Sequence, residues 1–223
     1  MNTSLLTRIG ALTGAAYVVL AILANDVLGK HPPDSSASAH EIGMWFRTHP
    51  ATTRTWTMAF LELFALLCFP VFVTVLAWTL RRADHSWLPG IVLGFGWLSA
   101  AIKIGSAAPI FALVWRSDNG ISDGLAAALV DMNGAAFVLT WALDAVMLAA
   151  AGGVILQTRC LPRWLGWWAL VTAPLLLVNV PIAISGPPLF LLALIWIVAT
   201  SITLAVRGAR DPAAATSSQE VIA

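Results

Sequence analysis

Apolar residues run through this chain in long blocks, not in the short alternations of a sheet protein. Six stretches stand out, at 9–29, 57–80, 87–115, 124–157, 164–184 and 188–206. A helix rising 1.5 Å per residue needs about 20 residues to cross a hydrocarbon core of about 30 Å. The pattern therefore predicts an all-α, polytopic membrane bundle of six transmembrane helices. The first stretch is read as a retained span, because no small-x-small cleavage site follows it ahead of a soluble domain. The third and fourth stretches exceed the bilayer, so they must tilt, kink or project. Pro109 supplies a kink site in the third.

Residues 1–210 read as a single six-helix transmembrane domain with an outer loop at 30–56, and residues 211–223 as a disordered cytoplasmic tail. The outer loop opens with Lys-His-Pro-Pro-Asp. The proline pair forbids helix there. Ser38 then stands three residues before Glu41, which is the spacing of a capping box. Ile42, Trp45 and Phe46 recur at i, i+3 and i+4, so a short outer helix with one apolar face is predicted. It lies on the membrane surface or lids the bundle.

Composition narrows the function classes. Of 223 residues, 59% are hydrophobic and 10% charged, against about 25% charged in an ordinary soluble domain. A soluble enzyme is excluded, and the lipid bilayer is the implied partner. The formal net charge is +1 with no basic stripe, so no nucleic acid is expected as a partner. Two cysteines, Cys68 in a span and Cys160 at a helix end, differ in depth and read as free thiols.

Lysine and arginine set the orientation. Arg8, Arg81, Arg82, Arg159, Arg163, Arg207 and Arg210 fall on one side, and Lys30, Arg47, Arg54 and Arg116 on the other. The positive-inside rule then places both termini in the cytoplasm, in a multi-pass protein of the cell membrane. Trp45, Trp56, Trp78, Trp87, Trp115, Trp164, Trp167 and Trp168 fall near span ends, as interfacial indoles do. Trp97, Trp141 and Trp196 sit deep, where packing between helices is their expected role.

Candidate chemistry lies in polar side chains that lipid should exclude. A charge at mid-bilayer costs about 2.5–3.5 kcal/mol on insertion scales. The candidates for a ligand or proton site are Asp26, Glu62, Lys103, Asn133, Thr140, Asp144 and Asn179, with Asn25 as polar company and Asp131 at the outer mouth. Counted from the inner helix ends, Lys103, Asp144 and Asn179 share one level roughly 20–22 Å up, with Asp26 and Glu62 about a turn higher. Asn133, Phe137, Thr140 and Asp144 are spaced 4, 3 and 4, on one helical stripe expected to face the bundle. Lys103 has no snorkelling route. Its expected counter-ion is Asp144, with Glu62 second.

No metal or cofactor site is expected. His31, His40, His49 and His85 all lie in loops, and no spacing among them suits a compact metal motif. Gly152-Gly153 and Gly90, Gly94 and Gly96 read as close helix packing. No internal repeat is evident.

Three stretches resemble a known group: Arg8-Ile9-Gly10 opening span one, the Pro-Pro-Asp loop with its short helix, and Leu161-Pro162-Arg163-Trp164-Leu165-Gly166-Trp167 leading into span five. In this order and spacing they resemble small multi-pass membrane proteins of actinobacteria that carry a domain-of-unknown-function label. The resemblance covers nearly the whole chain and implies a helical bundle in the cytoplasmic membrane. It implies no reaction.

Three functions fit these observations. The first is small-molecule or proton and ion handling at the buried polar cluster, working as a homo-oligomer if transport needs alternating access. The second is a membrane-embedded enzyme, an isomerase or terpene-type cyclase acting on a small lipophilic ligand. Glu62 or Asp144 would then be the catalytic acid, with Trp97 and Trp141 steadying a cation. The third is a non-catalytic partner-binding or immunity protein using the outer loop.

Overall fold

Long apolar blocks broken only by short polar connections leave the backbone one way to satisfy its hydrogen bonds in lipid, which is helix. The computed structural model describes residues 3–27, 33, 36–116, 120–182 and 189–207, and every regular element among them is helical. The helices are α1 (Thr3–Ile22), α2 (Ala39–Thr48), α3 (Thr53–Ala83), α4 (Leu88–Arg116), α5 (Asp123–Thr158), α6 (Arg163–Ile182) and α7 (Phe190–Arg207), with a π-helical turn at Leu23–Val27 extending α1. All but α2 are long and apolar enough to cross a membrane. The chain is a multi-pass, all-α membrane protein. The tail expected at 211–223 lies outside the described residues.

The six long helices form a closed ring. Each packs on the next in sequence, α1 on α3, α3 on α4, α4 on α5, α5 on α6 and α6 on α7, and α7 closes back on α1. The closing seam is polar. Ser201 Oγ on α7 donates to the Ala11 carbonyl and accepts from the Ala15 amide at 3.0 Å. Inside the ring Phe69, Phe72, Leu76, Met147, Leu148 and Trp196 are buried. The Trp196 indole donates to the Leu165 carbonyl at 2.8 Å, linking α7 to α6. All helix ends near Arg81, Arg82, Arg159, Arg163 and Arg207 meet at one end of the ring, where Arg207 donates to the Cys160 carbonyl at 2.9 Å.

Two expectations about glycine divide. At Gly152 an added Cβ would lie 2.8 Å from the Gly166 carbonyl oxygen, so α5 and α6 cross nearly backbone to backbone. Gly96 is similarly crowded, by Val73 and Met147. Gly90 and Gly94 are not packing sites, since nothing lies within 4 Å of a Cβ there.

Helix α1 begins at Thr3, ahead of the expected position 9, because polar Thr7 and Arg8 extend it past the apolar block. Helix α3 begins at Thr53, earlier than position 57, behind a capping box of Thr52 and Thr55 that the usual Ser/Thr-x-x-Glu signature does not cover. Helix α4 runs unbroken through Pro109. Helix α5 resolves its excess length by projecting. Its 36 residues span roughly 54 Å, and its first turns meet α2 as well as the last turns of α4.

Helix α2 starts as its sequence predicts. Ser38 accepts from the Glu41 amide and Glu41 bonds back to Ser38. These bonds hold the exposed Glu41 carboxyl below the usual carboxylate range. The cap therefore contributes above the ordinary carboxylate pKa and is lost as pH falls through the lowered one. Ile42 and Phe46 are buried against Leu113, Ile121, Ala126 and Val130, a small core separate from that of the ring. Gly43 allows this contact, because its Cβ would lie 3.0 Å from the Asp123 Cα. Arg47 then donates to Asp123 Oδ1 at 2.6 Å and to the Ile121 carbonyl at 3.3 Å, while the His40 Nδ1 lies 2.9 Å from Asp123 Oδ2. So α2 is a lid pinned to the projecting end of α5.

Candidate functional site

The charge expected to need a partner has one. Lys103 on α4 donates to Asp144 Oδ2 on α5 at 2.7 Å. Ser99, one turn before Lys103, donates to Asp144 Oδ1 at 2.6 Å. Successive helices joined by a short connection are neighbours, and the two residues lie at one level. The Lys103 ammonium also sits 4.5 Å from the centre of the Phe69 ring and 5.9 Å from that of Tyr17. Phe69 and Tyr17 themselves pack at 5.0 Å. Cation–π attraction is strongest where the cation is desolvated, and Lys103 is only 5% exposed. Four helices thus converge on one ammonium.

The pair is closed to ligands. The cavity beside it, between Tyr17, Trp141, Asp144 and Phe190, is about 20 Å³. That is the room of a single water molecule, and no organic substrate fits. Trp141 of α5 stacks on Phe190 of α7 at 5.5 Å and 11°, and Ala193, Leu194 and Ile197 of α7 complete that side of the cavity.

The other expected members are dispersed. Glu62 does not approach Lys103 as counter-ion, since α3 presents it to a different cavity. Thr140 is fully buried but donates to its own helix, to the Phe137 carbonyl at 2.6 Å. Phe137 is exposed, so the stripe on α5 is not wholly inward. Asn179 is buried on α6, its Oδ1 without a hydrogen-bond partner among the described residues. Asp26 falls in the π-helical turn, and its side chain lies outside the described structure. Trp97 is not interior. It is 52% exposed and donates to Thr74 at 3.1 Å, so one of the two rings of the cyclase reading faces outward.

A second cavity, of about 390 Å³, lies beneath α2. Its volume falls in the range of small-molecule sites, about 300–1,000 Å³. Trp45 and Phe46 of the lid form its roof, and Trp56, Met58 and Ala59 of α3 and Phe111 of α4 form its walls. Polar groups converge on it from three segments: Asn25 of the π-helical turn, Thr55 and Glu62 of α3, and Asn133 of α5. Among the described lining residues, Glu62 alone carries a formal charge. Asn133 is held in place by donating to the Ser106 carbonyl at 2.6 Å, in the α4 turn before Pro109. Asn25 donates to the Ala21 carbonyl at 3.0 Å.

The sequence had signals for part of this. Ser99 stands four residues before Lys103, on the same helical face. The Trp56-to-Glu62 wall lies within one helix. The approach of Tyr17 and Phe69, and of the lid aromatics to Phe111, is long-range and leaves no local trace. Compared with protein-family models, with curated proteins and with solved structures, the chain matches none.

Proposed function

We propose that this protein handles a small molecule in the cavity beneath α2, with Glu62, Asn25, Thr55 and Asn133 as its polar contacts, and that the Lys103–Asp144 pair holds the ring around that cavity. The observation that carries this reading is a ligand-sized cavity with one carboxylate among aromatic walls. The contrast with the sealed pair supports it, because the handling site needs room and the pair has none. The proposal keeps small-molecule handling and moves it from Lys103 and Asp144 to Glu62. The protein is proposed to act in the cytoplasmic membrane, as its resemblance to the actinobacterial group implies.

The test is the content of the cavity. Gly134 lines it, and a Cβ there meets no atom within 4 Å, so the side chain of Gly134→Leu starts in open space beside the cavity. Wild-type protein extracted from its own membrane should carry a small molecule detectable by mass spectrometry. Gly134→Leu and Glu62→Gln should each lower its recovery about tenfold, the equivalent of one good polar or packing contact. Equal recovery from all three proteins rejects the reading.

The proposed orientation puts the arginine-rich end in the cytoplasm and α2 outside. A membrane-impermeant maleimide applied to intact cells should label Ser36→Cys and miss Ser217→Cys. The reverse pattern overturns it.

A further inference from the structure

The arginine-rich end of the ring is not uniform. At the α3–α4 turn Arg81 and Arg82 share their surroundings with Asp84, and the Arg82 guanidinium lies 5.1 Å from the centre of the Trp78 ring. The α5–α6 turn has no such acid. Arg159 caps the end of α5 and Arg163 begins α6, and the sequence carries no Asp or Glu between Asp144 and Asp211. Arg207, at the end of α7, donates to the Cys160 carbonyl at 2.9 Å, which brings a third guanidinium to the same turn. All three arginines are exposed, and none has an ion pair among the described residues. Leu161 and Leu165 anchor the turn in the core. Arg159 itself adopts a φ of 57°, the left-handed region where glycine would be free of strain. An arginine there keeps a charge at a backbone cost. Trp164 and Trp167, 50% and 57% exposed on the first turns of α6, mark the headgroup level beside it.

We propose that the α5–α6 turn binds the phosphate of an anionic phospholipid. Arg159, Arg163 and Arg207 are its partners, and its acyl chains lie against Trp164, Trp167 and Val206. The ligand is anionic because three cationic side chains meet at a turn without a carboxylate, and the guanidinium fork matches phosphate oxygens. It is a lipid because the cluster adjoins exposed indoles and the exposed, apolar Val206, and basic sites between membrane helices recognise such headgroups. A phosphatidylcholine headgroup would bring its own ammonium to the cluster, where like charge disfavours it. The turn lies at the opposite end of the ring from α2, so this site and the cavity beneath α2 stand or fall separately.

The test uses the full chain in phosphatidylcholine nanodiscs doped with a phosphatidylglycerol probe that carries a diazirine near the glycerol end of one chain. Photolysis followed by peptide mass spectrometry should place saturable adducts on Trp164, Trp167 or Val206, and unlabelled phosphatidylglycerol should compete. An otherwise identical phosphatidylcholine probe should label these positions no more than lipid-facing Leu139 and Val171. Arg159→Gln with Arg163→Gln should lower saturable labelling about thirtyfold, each arginine at an anionic lipid surface being worth about fivefold. Arg81→Gln with Arg82→Gln removes the same charge from across the ring and should lower it about twofold at most, because exposed charges are screened over such a span. Equal losses from the two pairs would reveal bulk attraction to the arginine end and overturn the site. Equal labelling by the two probes overturns the anionic headgroup. Inorganic phosphate that displaces the probe better than chloride at matched ionic strength overturns the lipid in favour of free phosphate. Asp211→Asn with Glu220→Gln should leave labelling unchanged, and a large gain would assign these arginines to the tail and overturn the proposal. The comparison of probes on the wild-type chain decides the headgroup whether or not a variant folds.

Discussion

Lys103→Met should be among the most damaging single substitutions in this protein, and Asp144→Asn should rescue much of the damage. The ammonium is buried, 2.7 Å from Asp144 and 4.5 Å from the Phe69 ring. Removing it strands a buried carboxylate that keeps the Ser99 hydroxyl as a hydrogen-bond donor. Breaking one side of a buried pair costs about 3–5 kcal/mol. With Asp144→Asn added, no net charge remains inside the ring, and a carbonyl oxygen is still present to accept from Ser99. The double variant should therefore be more stable than Lys103→Met by at least ~1.5 kcal/mol, a coupling within the range for contacting residues. Reversible unfolding of the purified protein in mixed micelles reads the effect. Simple additivity of the two substitutions would show that the ion pair contributes no specific stabilisation. Glu62→Gln is the control. It lines the separate cavity beneath α2 and should shift the same transition less than Lys103→Met does.

The depth arithmetic that pairs Lys103 with Asp144 works because a straight helix converts residue number into height, and neighbouring helices in sequence are neighbours in the ring. The same arithmetic is blind to azimuth. It places Glu62 near the cluster in height, yet α3 turns it into the cavity below α2. It places Thr140 on the line from Asn133 to Asp144, yet the hydroxyl is spent on the Phe137 carbonyl. Hydroxyls on membrane helices commonly bond back to their own turn, so spacing alone overstates them as site members. Trp97 shows the converse. Mid-span position alone does not bury an indole, because a helix of almost uniformly apolar sequence carries no moment to say which face is inside. The span boundaries were legible for a different reason. They depend on charge and hydropathy along the chain, not around the helix.

The lid carries the clearest local code and the clearest tertiary surprise. Ser38, Glu41 and the Ile42/Trp45/Phe46 face announce a capped amphipathic helix. The surface that receives this face is formed by the end of α4, the α4–α5 connection and the start of α5, at Leu113, Ile121, Ala126 and Val130. One feature of the sequence explains the other: α5 is too long to be covered by lipid, and α2 supplies the missing cover. That arrangement closes a cavity above the ring, and hence depends on how closely the two helices approach.

Gly43→Val should separate lid from bundle while leaving the ring folded. At Gly43 a Cβ would collide with the Asp123 carboxylate and lie 3.0 Å from its Cα. The carboxylate alone could rotate, but it is held by Arg47 at 2.6 Å and faces His40 at 2.9 Å. The backbone atom cannot move without shifting the first turn of α5. Overpacking of this kind costs typically about 1–3 kcal/mol. Here the cost falls on a ten-residue helix whose core is small and separate from that of the ring. The lid should therefore open locally before the ring unfolds. Ala126 reports the event, because it is fully buried beneath Ile42 and Phe46 in that small core. In an Ala126→Cys background, with Cys68 and Cys160 replaced by serine, a water-soluble maleimide should react slowly with the otherwise wild-type lid. Adding Gly43→Val should speed labelling about tenfold, the equivalent of ~1.4 kcal/mol in the opening equilibrium. The same protein should retain the thermal transition of the ring to within a few degrees. Unchanged labelling would mean that α2 rides on α5 without being gated by this contact. Loss of the ring transition along with faster labelling would mean that lid and ring form one cooperative unit.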